Sequence, residues 1–242
     1  MKTILVTSRL LLAVTAAASM SVIIGCSTTG TAPAAANAAE TDKPAELAVK
    51  ITPTISSVSV MHNGKPVTVM RNQDGNNKVN PEFAKTSRKC PPFCIQPFTI
   101  APGVETIGEV EMVDYLGKMG SGDKSIIVVD SRTPDWVERG TIPGAVNIPF
   151  TKLDPDKGAD PVSIAESLES FGAVETGKGW DFSNVKTIVL FCNGQWCGQS
   201  PISIRTMLKQ GFPAAKIKWY RGGMQSWSNL GFNTVTPEAT AR

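Results

Sequence analysis

The feature that most constrains the fold is a continuous apolar run at residues 188–191, followed directly by Cys192 and a short polar loop. An apolar run of this length is typical of a strand buried on both faces, as in a parallel sheet. Ser200 and Pro201 favour the N-cap and first position of a helix, and Gly211 favours its C-terminal end. We therefore expect a strand, a loop and a helix in sequence.

Cys192 is the candidate reactive residue of this segment. A cysteine between a strand end and a helix N-terminus faces unpaired backbone N–H groups, which lower a thiol pKa and stabilise a bound anion. The alternative is a core cysteine that ends a strand, since free cysteines are commonly buried. The residues expected to form an anion-binding cradle beside Cys192 are Asn193, Gly194, Gln195, Trp196, Gly198, Gln199 and Ser200.

The sequence predicts one α/β domain at residues 105–237, followed by a tail at 238–242. Apolar runs alternate with amphipathic patterns, which indicates a doubly wound, mainly parallel sheet. Such sheets bind ligands beyond the carboxyl ends of their strands, where Cys192 is expected. The first helix is predicted from a capping-box pattern at residues 106–109. Its predicted apolar face consists of Ile107, Val110, Val113 and Leu116.

Residues 49–104 form an N-terminal extension with its own signals. Alternating apolar residues at 55–61 and 66–71 flank Asn63 and Gly64, which predicts a β-hairpin. Further on, Cys90 and Cys94 enclose two prolines and one phenylalanine. In an oxidising compartment such a pair is expected to form a local disulfide. The spacing also resembles the copper site of Sco-type chaperones, for which remote His62 could add a ligand.

The first residues have the pattern of an export signal. Positive charge precedes an apolar stretch too short for a confident membrane span, and the stretch ends at Gly25 and Cys26. This end resembles a bacterial lipobox, so we expect a lipoprotein signal peptide at 1–25, lipidation of Cys26 and a flexible tether at 26–48. An ordinary cleaved signal, cut near residues 34–39, is the alternative. Either version places the mature chain outside the cytoplasm, and lipidation predicts the periplasmic side of a bacterial membrane, with Ser27 favouring the outer membrane.

Composition excludes several classes of function. The net charge is only +3 and no cluster of basic residues with interleaved aromatics occurs, so we expect no nucleic-acid partner. The single histidine, His62, argues against histidine-rich zinc sites and against a Cys–His pair unless it reaches Cys192. We expect no cofactor and no resident metal.

Four segments, in this order, resemble the landmarks of the rhodanese family. They are residues 129–132 (Val-Asp-Ser-Arg), 139–145 (Arg-Gly-Thr-Ile-Pro-Gly-Ala), 190–192 (Leu-Phe-Cys) and 220–227 (Tyr-Arg-Gly-Gly-Met-Gln-Ser-Trp). The resemblance implies a sulfurtransferase in which Cys192 accepts a sulfane sulfur from a small donor as a persulfide. A thiol acceptor, small molecule or protein, then takes the sulfur. It also implies that Asp130 and Arg132 support the site, although a purely structural pairing of these two is the more economical interpretation.

The loop departs from the family pattern in three ways. It is longer by about two residues, it has no Lys or Arg between Cys192 and Arg205, and it contains a second thiol, Cys197. A dianionic donor gains from a cation, so thiosulfate is a less obvious donor here. Thr141 also replaces the histidine common in its landmark. Cys197 could resolve a persulfide or form a redox pair with Cys192; packing of the longer loop is its alternative role.

Three functions therefore remain open. The first is an exported sulfurtransferase that uses Cys192. The second is a periplasmic thiol–disulfide redox protein that uses Cys192 with Cys197. The third is a binding module without catalysis.

Overall fold

The structure is a computed structural model that describes residues 47–237. The predicted signal peptide, Cys26, nearly all of the tether and the tail lie outside the described residues. The β-strands are β1 (Ser57–His62), β2 (Lys65–Met70), β3 (Glu105–Ile107), β4 (Ile126–Asp130), β5 (Val146–Asn147), β6 (Val174–Thr176), β7 (Gly179–Asp181), β8 (Thr187–Phe191) and β9 (Ile217–Tyr220). The α-helices are α1 (Pro81–Ala84), α2 (Glu109–Gly120), α3 (Pro134–Val137), α4 (Pro161–Ser170), α5 (Gln199–Lys209) and α6 (Gly223–Asn229). Short 3-10 helices cover Phe150–Lys152, Pro155–Lys157 and Ala214–Lys216.

The central sheet has five strands in the order β3-β9-β8-β4-β5, and every neighbouring pair is parallel. Strand β8 lies in the middle, where Val189 is opposite Val128 of β4 and Lys218 of β9. This arrangement confirms the predicted α/β class with a parallel sheet.

Both faces of the sheet are covered. Val189 and Phe191 of β8 belong to one core with residues of α2 and α6, whereas Ile188 and Leu190 belong to the opposite core with residues of α4 and α5. Alternate side chains of one strand therefore enter different cores, which explains why its sequence is apolar throughout rather than alternating. The doubly wound prediction is confirmed.

The predicted hairpin is present as β1 and β2, joined by Asn63 and Gly64, which both have positive φ. Val60 and Val69 are buried in the core that contains Leu116 of α2. Helix α2 approaches the hairpin so closely at Gly120 that an added Cβ would collide with the Ser59 carbonyl. The hairpin gains its stability from this packing, since an isolated two-stranded hairpin is marginal in water.

Two predicted helix starts were wrong. Helix α2 begins at Glu109 behind Gly108, because Thr106 and Ile107 are in strand β3; Glu111 accepts from the Gly108 N–H at 3.0 Å. Val110, predicted to lie on the apolar face of this helix, is half exposed. Helix α5 begins at Gln199 rather than at Pro201, with Gly198 at the N-cap. The hydroxyl of Ser200 does not cap this helix because it bonds to Cys192.

Candidate functional site

Cys192 lies directly beyond the end of β8, at the carboxyl edge of the sheet, and is only 2% exposed. We call residues 192–200 the Cys192 loop. Backbone N–H groups at the start of α6 hold it: Met224 donates to the Cys192 carbonyl at 3.0 Å and Gln225 to the Asn193 carbonyl at 2.9 Å. Gly223, with φ of +55°, is required there because an added Cβ would collide with the Cys192 carbonyl. The loop is thus fixed between the start of α6 and the start of α5.

A short chain of hydrogen bonds ends on the Cys192 sulfur. The indole Nε1 of Trp219 donates to Ser200 Oγ at 3.1 Å, and Ser200 Oγ donates to Cys192 Sγ at 3.1 Å. Ser200 is fully buried. Because Trp219 occupies the acceptor side of the hydroxyl, the Ser200 proton is directed at the sulfur, which favours the thiolate.

The pKa of Cys192 reflects two opposed effects. Burial by itself raises the pKa of this thiol, but hydrogen bonds from the Cys197 thiol, the Ser200 hydroxyl and the N–H groups of Ser200 and Gly194 lower it to about 7. Hydrogen bonding outweighs burial because every donor stabilises the charged form. A substantial fraction of Cys192 is therefore thiolate, the nucleophilic form, at neutral pH.

Cys197 is a second free thiol, 5% exposed, in contact with Cys192 and Trp196. Burial and its role as hydrogen-bond donor to Cys192 raise its pKa well above the ordinary value. Its sulfur also lies 3.5 Å from Gln199 Oε1. The two thiols thus have opposite character, with Cys192 the nucleophile and Cys197 the proton-bearing neighbour.

The other predicted cradle residues surround the thiols in different ways. Trp196 is 8% exposed, and its Nε1 donates to Gln225 Oε1 at 2.6 Å. Gln195 Nε2 donates to Ser226 Oγ at 3.3 Å. Asn193 is buried, and its Oδ1 has no hydrogen-bond partner among the described residues. The loop therefore covers the sulfur with an indole and retains one unpaired acceptor.

Asp130 and Arg132 form a buried ion pair at the end of β4, with each side chain 1% exposed. Arg132 Nε and Nη2 donate to the carboxylate of Asp130 at 2.9 and 2.6 Å, and Nη2 also donates to the Gly140 carbonyl at 2.7 Å. Thr141 Oγ1 donates to Asp130 Oδ2 at 2.7 Å. These contacts join β4 to the turn before β5, and within the described residues neither side chain forms a hydrogen bond with Cys192. The geometry supports a structural role.

Residues 112–230 match the sequence model of the family described as Rhodanese-like domain. This part of the chain is a rhodanese-like domain. No curated protein matches the sequence.

Solved structures resemble the rhodanese-like domain in outline. The human single-domain sulfurtransferase is 21% identical, with 51% of this chain and 95% of that chain covered and a TM-score of 0.34. A rhodanese-related protein from Thermoplasma volcanium is 19% identical over 55% of this chain and 99% of that chain, with a TM-score of 0.34. The rhodanese-like domain of an Anabaena protein is 15% identical over 59% of this chain and 85% of that chain, with a TM-score of 0.35. At these low values the assignment rests on the family match.

The extension lies over the Cys192 loop of the rhodanese-like domain. Cys90 and Cys94 are joined by a disulfide, and between them the Phe93 ring meets the Trp196 ring edge-on at 5.5 Å. The Gln96 N–H donates to the Gln195 carbonyl at 2.8 Å. The guanidinium of Arg88 lies 4.0 Å from the centre of the Trp196 ring. We call residues 88–96 the covering segment.

The disulfide between Cys90 and Cys94 was predicted, but the packing of the covering segment on the Cys192 loop was not, and neither were two residues that position the loop. These two residues are Trp219, which donates to Ser200, and Gln225, which anchors Trp196. The lack of a cation inside the loop indicated that a cation would have to come from elsewhere in the chain, but it did not indicate which residue. His62 is on the hairpin, where its Nδ1 accepts from the Gly144 N–H at 3.2 Å.

Residues 47–237 contain no group of three or more His, Cys, Asp and Glu side chains placed to hold a metal ion. Over the same range, no helix has both the length and the apolar character needed to cross a membrane.

Proposed function

We propose that the protein is a sulfurtransferase in which Cys192 carries a sulfane sulfur as a persulfide. The observation that carries this proposal is the environment of Cys192 Sγ, which receives hydrogen bonds from the Ser200 hydroxyl at 3.1 Å and from loop N–H groups. The same donors that stabilise a thiolate can stabilise the terminal sulfur anion of a persulfide. Membership of the rhodanese-like family, which includes sulfurtransferases, supports the same reaction.

The transfer consists of two displacements. The Cys192 thiolate attacks the sulfane sulfur of the donor, so that a new S–S bond forms while the bond between that sulfur and the donor breaks. The donor fragment leaves with the electron pair. An acceptor thiolate then attacks the outer sulfur of the persulfide, takes it as its own persulfide and returns Cys192 as thiolate.

Mass spectrometry of the purified chain tests this proposal. After incubation with thiosulfate, mercaptopyruvate or polysulfide, we expect one added sulfur atom on the peptide that contains Cys192, and its loss when a thiol is added. The C192S variant, with Cys197 intact, is the matched control. Absence of added sulfur on Cys192 with all three donors would overturn the proposal.

A thiol–disulfide redox protein is the second candidate, favoured by the contact between the Cys192 and Cys197 thiols. In that function Cys197 attacks the inner sulfur of a persulfide or of a mixed disulfide, forms the Cys192–Cys197 disulfide and expels sulfide or a thiol. The raised pKa of Cys197 makes it a poor nucleophile, which ranks this function second. Disulfide mapping after a single turnover distinguishes the two, because only the redox function accumulates the Cys192–Cys197 bond.

We also propose that the protein works outside the cytoplasm, anchored by a lipid on Cys26 to the periplasmic side of a bacterial membrane. The Cys90–Cys94 disulfide supports an oxidising compartment. Intact-mass measurement of the mature chain tests the anchor, and the expected product begins at a lipidated Cys26. A mature chain that begins unmodified within residues 34–39 would overturn it.

A further inference from the structure

The Cys192 loop has no cation of its own, but the fold brings one to it from the extension. The Arg88 guanidinium lies 4.0 Å from the centre of the Trp196 ring and 5.7 Å from that of Phe93. Trp196 in turn packs against Cys192 and Cys197. The Trp196 side chain therefore lies between the Arg88 guanidinium and the two thiols.

The position of Arg88 is fixed by several contacts. Its Nη2 donates to the Glu82 carbonyl at 3.0 Å. The segment that follows it is closed by the Cys90–Cys94 disulfide and attached to the loop through the Gln96 N–H. Arg221 Nη2 holds the far end by donating to the Gln96 carbonyl at 2.7 Å. A long side chain that would otherwise sample many rotamers is thus held on the indole.

The charge of Arg88 has no ionic partner in the part of the chain that the structure describes. Among residues 47–237 no carboxylate forms an ion pair with it, and the Glu82 carboxylate pairs instead with Arg139. Arg88 Nε is buried and has no hydrogen-bond acceptor among the described residues. No carboxylate among the described residues therefore neutralises the guanidinium, and its positive charge is available to an anionic ligand.

We propose that Arg88 is the oxyanion-binding residue of the Cys192 site, where it takes the carboxylate, sulfonate or sulfur-oxyanion group of an anionic sulfur donor. Stacking on an aromatic face leaves in-plane N–H groups of the guanidinium free, and these match two oxygens of one anion. Because Cys192 is only 2% exposed, a donor must pass the residues that cover the sulfur, and Trp196 with Arg88 on it is among them. The choice of donor thus rests on the proposed sulfurtransferase function, but the anion site itself does not.

Alkylation of Cys192 tests the anion site without any sulfur transfer. Iodoacetate and iodoacetamide react with the same thiolate and differ in charge, so the ratio of their rates measures attraction of an anion to the site. We expect R88Q to lower the iodoacetate-to-iodoacetamide ratio by about fivefold or more and R88K to retain most of it. K89Q removes the adjacent exposed cation and should leave the ratio unchanged. Equal ratios in R88Q and K89Q would overturn the proposal.

Salt provides a measurement that needs no variant. The ratio in the unmodified protein should fall as ionic strength rises, because screening weakens attraction between charges. A ratio independent of salt would overturn the proposal even if R88Q failed to fold.

Steady-state kinetics test whether Arg88 binds the anionic sulfur donor. We expect R88Q to raise KM for thiosulfate about tenfold while KM for a neutral organic trisulfide is unchanged, and R88K to restore it. If no donor transfers sulfur to Cys192 but the alkylation ratio still depends on Arg88, the sulfurtransferase proposal is refuted and the anion-site proposal is supported. If Cys192 accepts sulfur and R88Q has the same KM values as K89Q for both donors, the anion-site proposal is refuted and the sulfurtransferase proposal is supported.

Discussion

The Ser200 hydroxyl lies 3.1 Å from the sulfur of Cys192 and donates to it, while the indole of Trp219 occupies its acceptor side. A serine in the first turn of a helix commonly forms a hydrogen bond with a nearby backbone group. Here its proton stabilises a buried thiolate, so the reactivity of Cys192 depends on a side chain eight positions later in the sequence.

Replacing Ser200 by alanine should raise the pKa of Cys192 above its value of about 7. A hydrogen bond to a charged group contributes about 1.5–3 kcal/mol, which corresponds to a shift of about one unit or more. The rate of iodoacetamide alkylation against pH measures the midpoint, which we expect to move to higher pH. S203A removes a buried hydroxyl that bonds to the Gln199 carbonyl instead, and it should leave the midpoint in place. Equal midpoints in S200A and S203A would contradict this role of Ser200.

The two functions proposed for the site make opposite predictions for Cys197. If Cys197 serves as a hydrogen-bond donor, C197S retains persulfide transfer and C197A raises the pKa of Cys192 by removing the donor. If Cys197 resolves the persulfide, both variants abolish sulfide release. We expect the first pattern, because burial and donation to Cys192 raise the pKa of Cys197 and keep it protonated. Sulfide release under single turnover and the alkylation midpoint are the two measurements.

The sheet could be predicted because its strands are buried on both faces. The side chains of strand β8 pack into two cores, one on each face of the sheet. Its sequence is therefore apolar throughout, without alternating polar residues, which is typical of a central parallel strand. The place of Cys192 follows directly, since a cysteine after such a strand must lie at the carboxyl edge of the sheet. The start of α5 was misplaced because Ser200 and Pro201 carry strong local signals, while the hydroxyl of Ser200 is used by Cys192 and Trp219.

The cation at the site could not be located from sequence. Arg88 and Trp196 are far apart in the chain, and nothing local to either residue specifies their contact. It arises because the disulfide-closed segment packs on the loop through Phe93 and Gln96. A tertiary contact between an irregular segment and a loop has no periodic pattern in sequence, unlike the strands and helices around it.

Removing Asp130 should destabilise the fold strongly. In D130L the guanidinium of Arg132 stays buried without its carboxylate, which costs about 3–5 kcal/mol. The double variant D130L/R132M removes both charges and should recover much of that loss. R139Q breaks the exposed pair with Glu82 and should cost less than about 1 kcal/mol. Urea unfolding followed by tryptophan fluorescence gives these free energies, and similar values for D130L and R139Q would refute a buried structural pair.

The close approach of α2 to the hairpin predicts different outcomes for two glycines of one helix. At Gly120 an added Cβ would collide with the Ser59 carbonyl, whereas at Gly117 it would lie 3.5 Å from Val58 Cγ1, an ordinary contact. G120A should therefore destabilise the protein by about 1–3 kcal/mol, because backbone must shift. G117A should stabilise it by up to about 1 kcal/mol through helix propensity. Free energies of unfolding in urea measure both. If G120A were as stable as G117A, the hairpin would not pack on α2 as the structure has it.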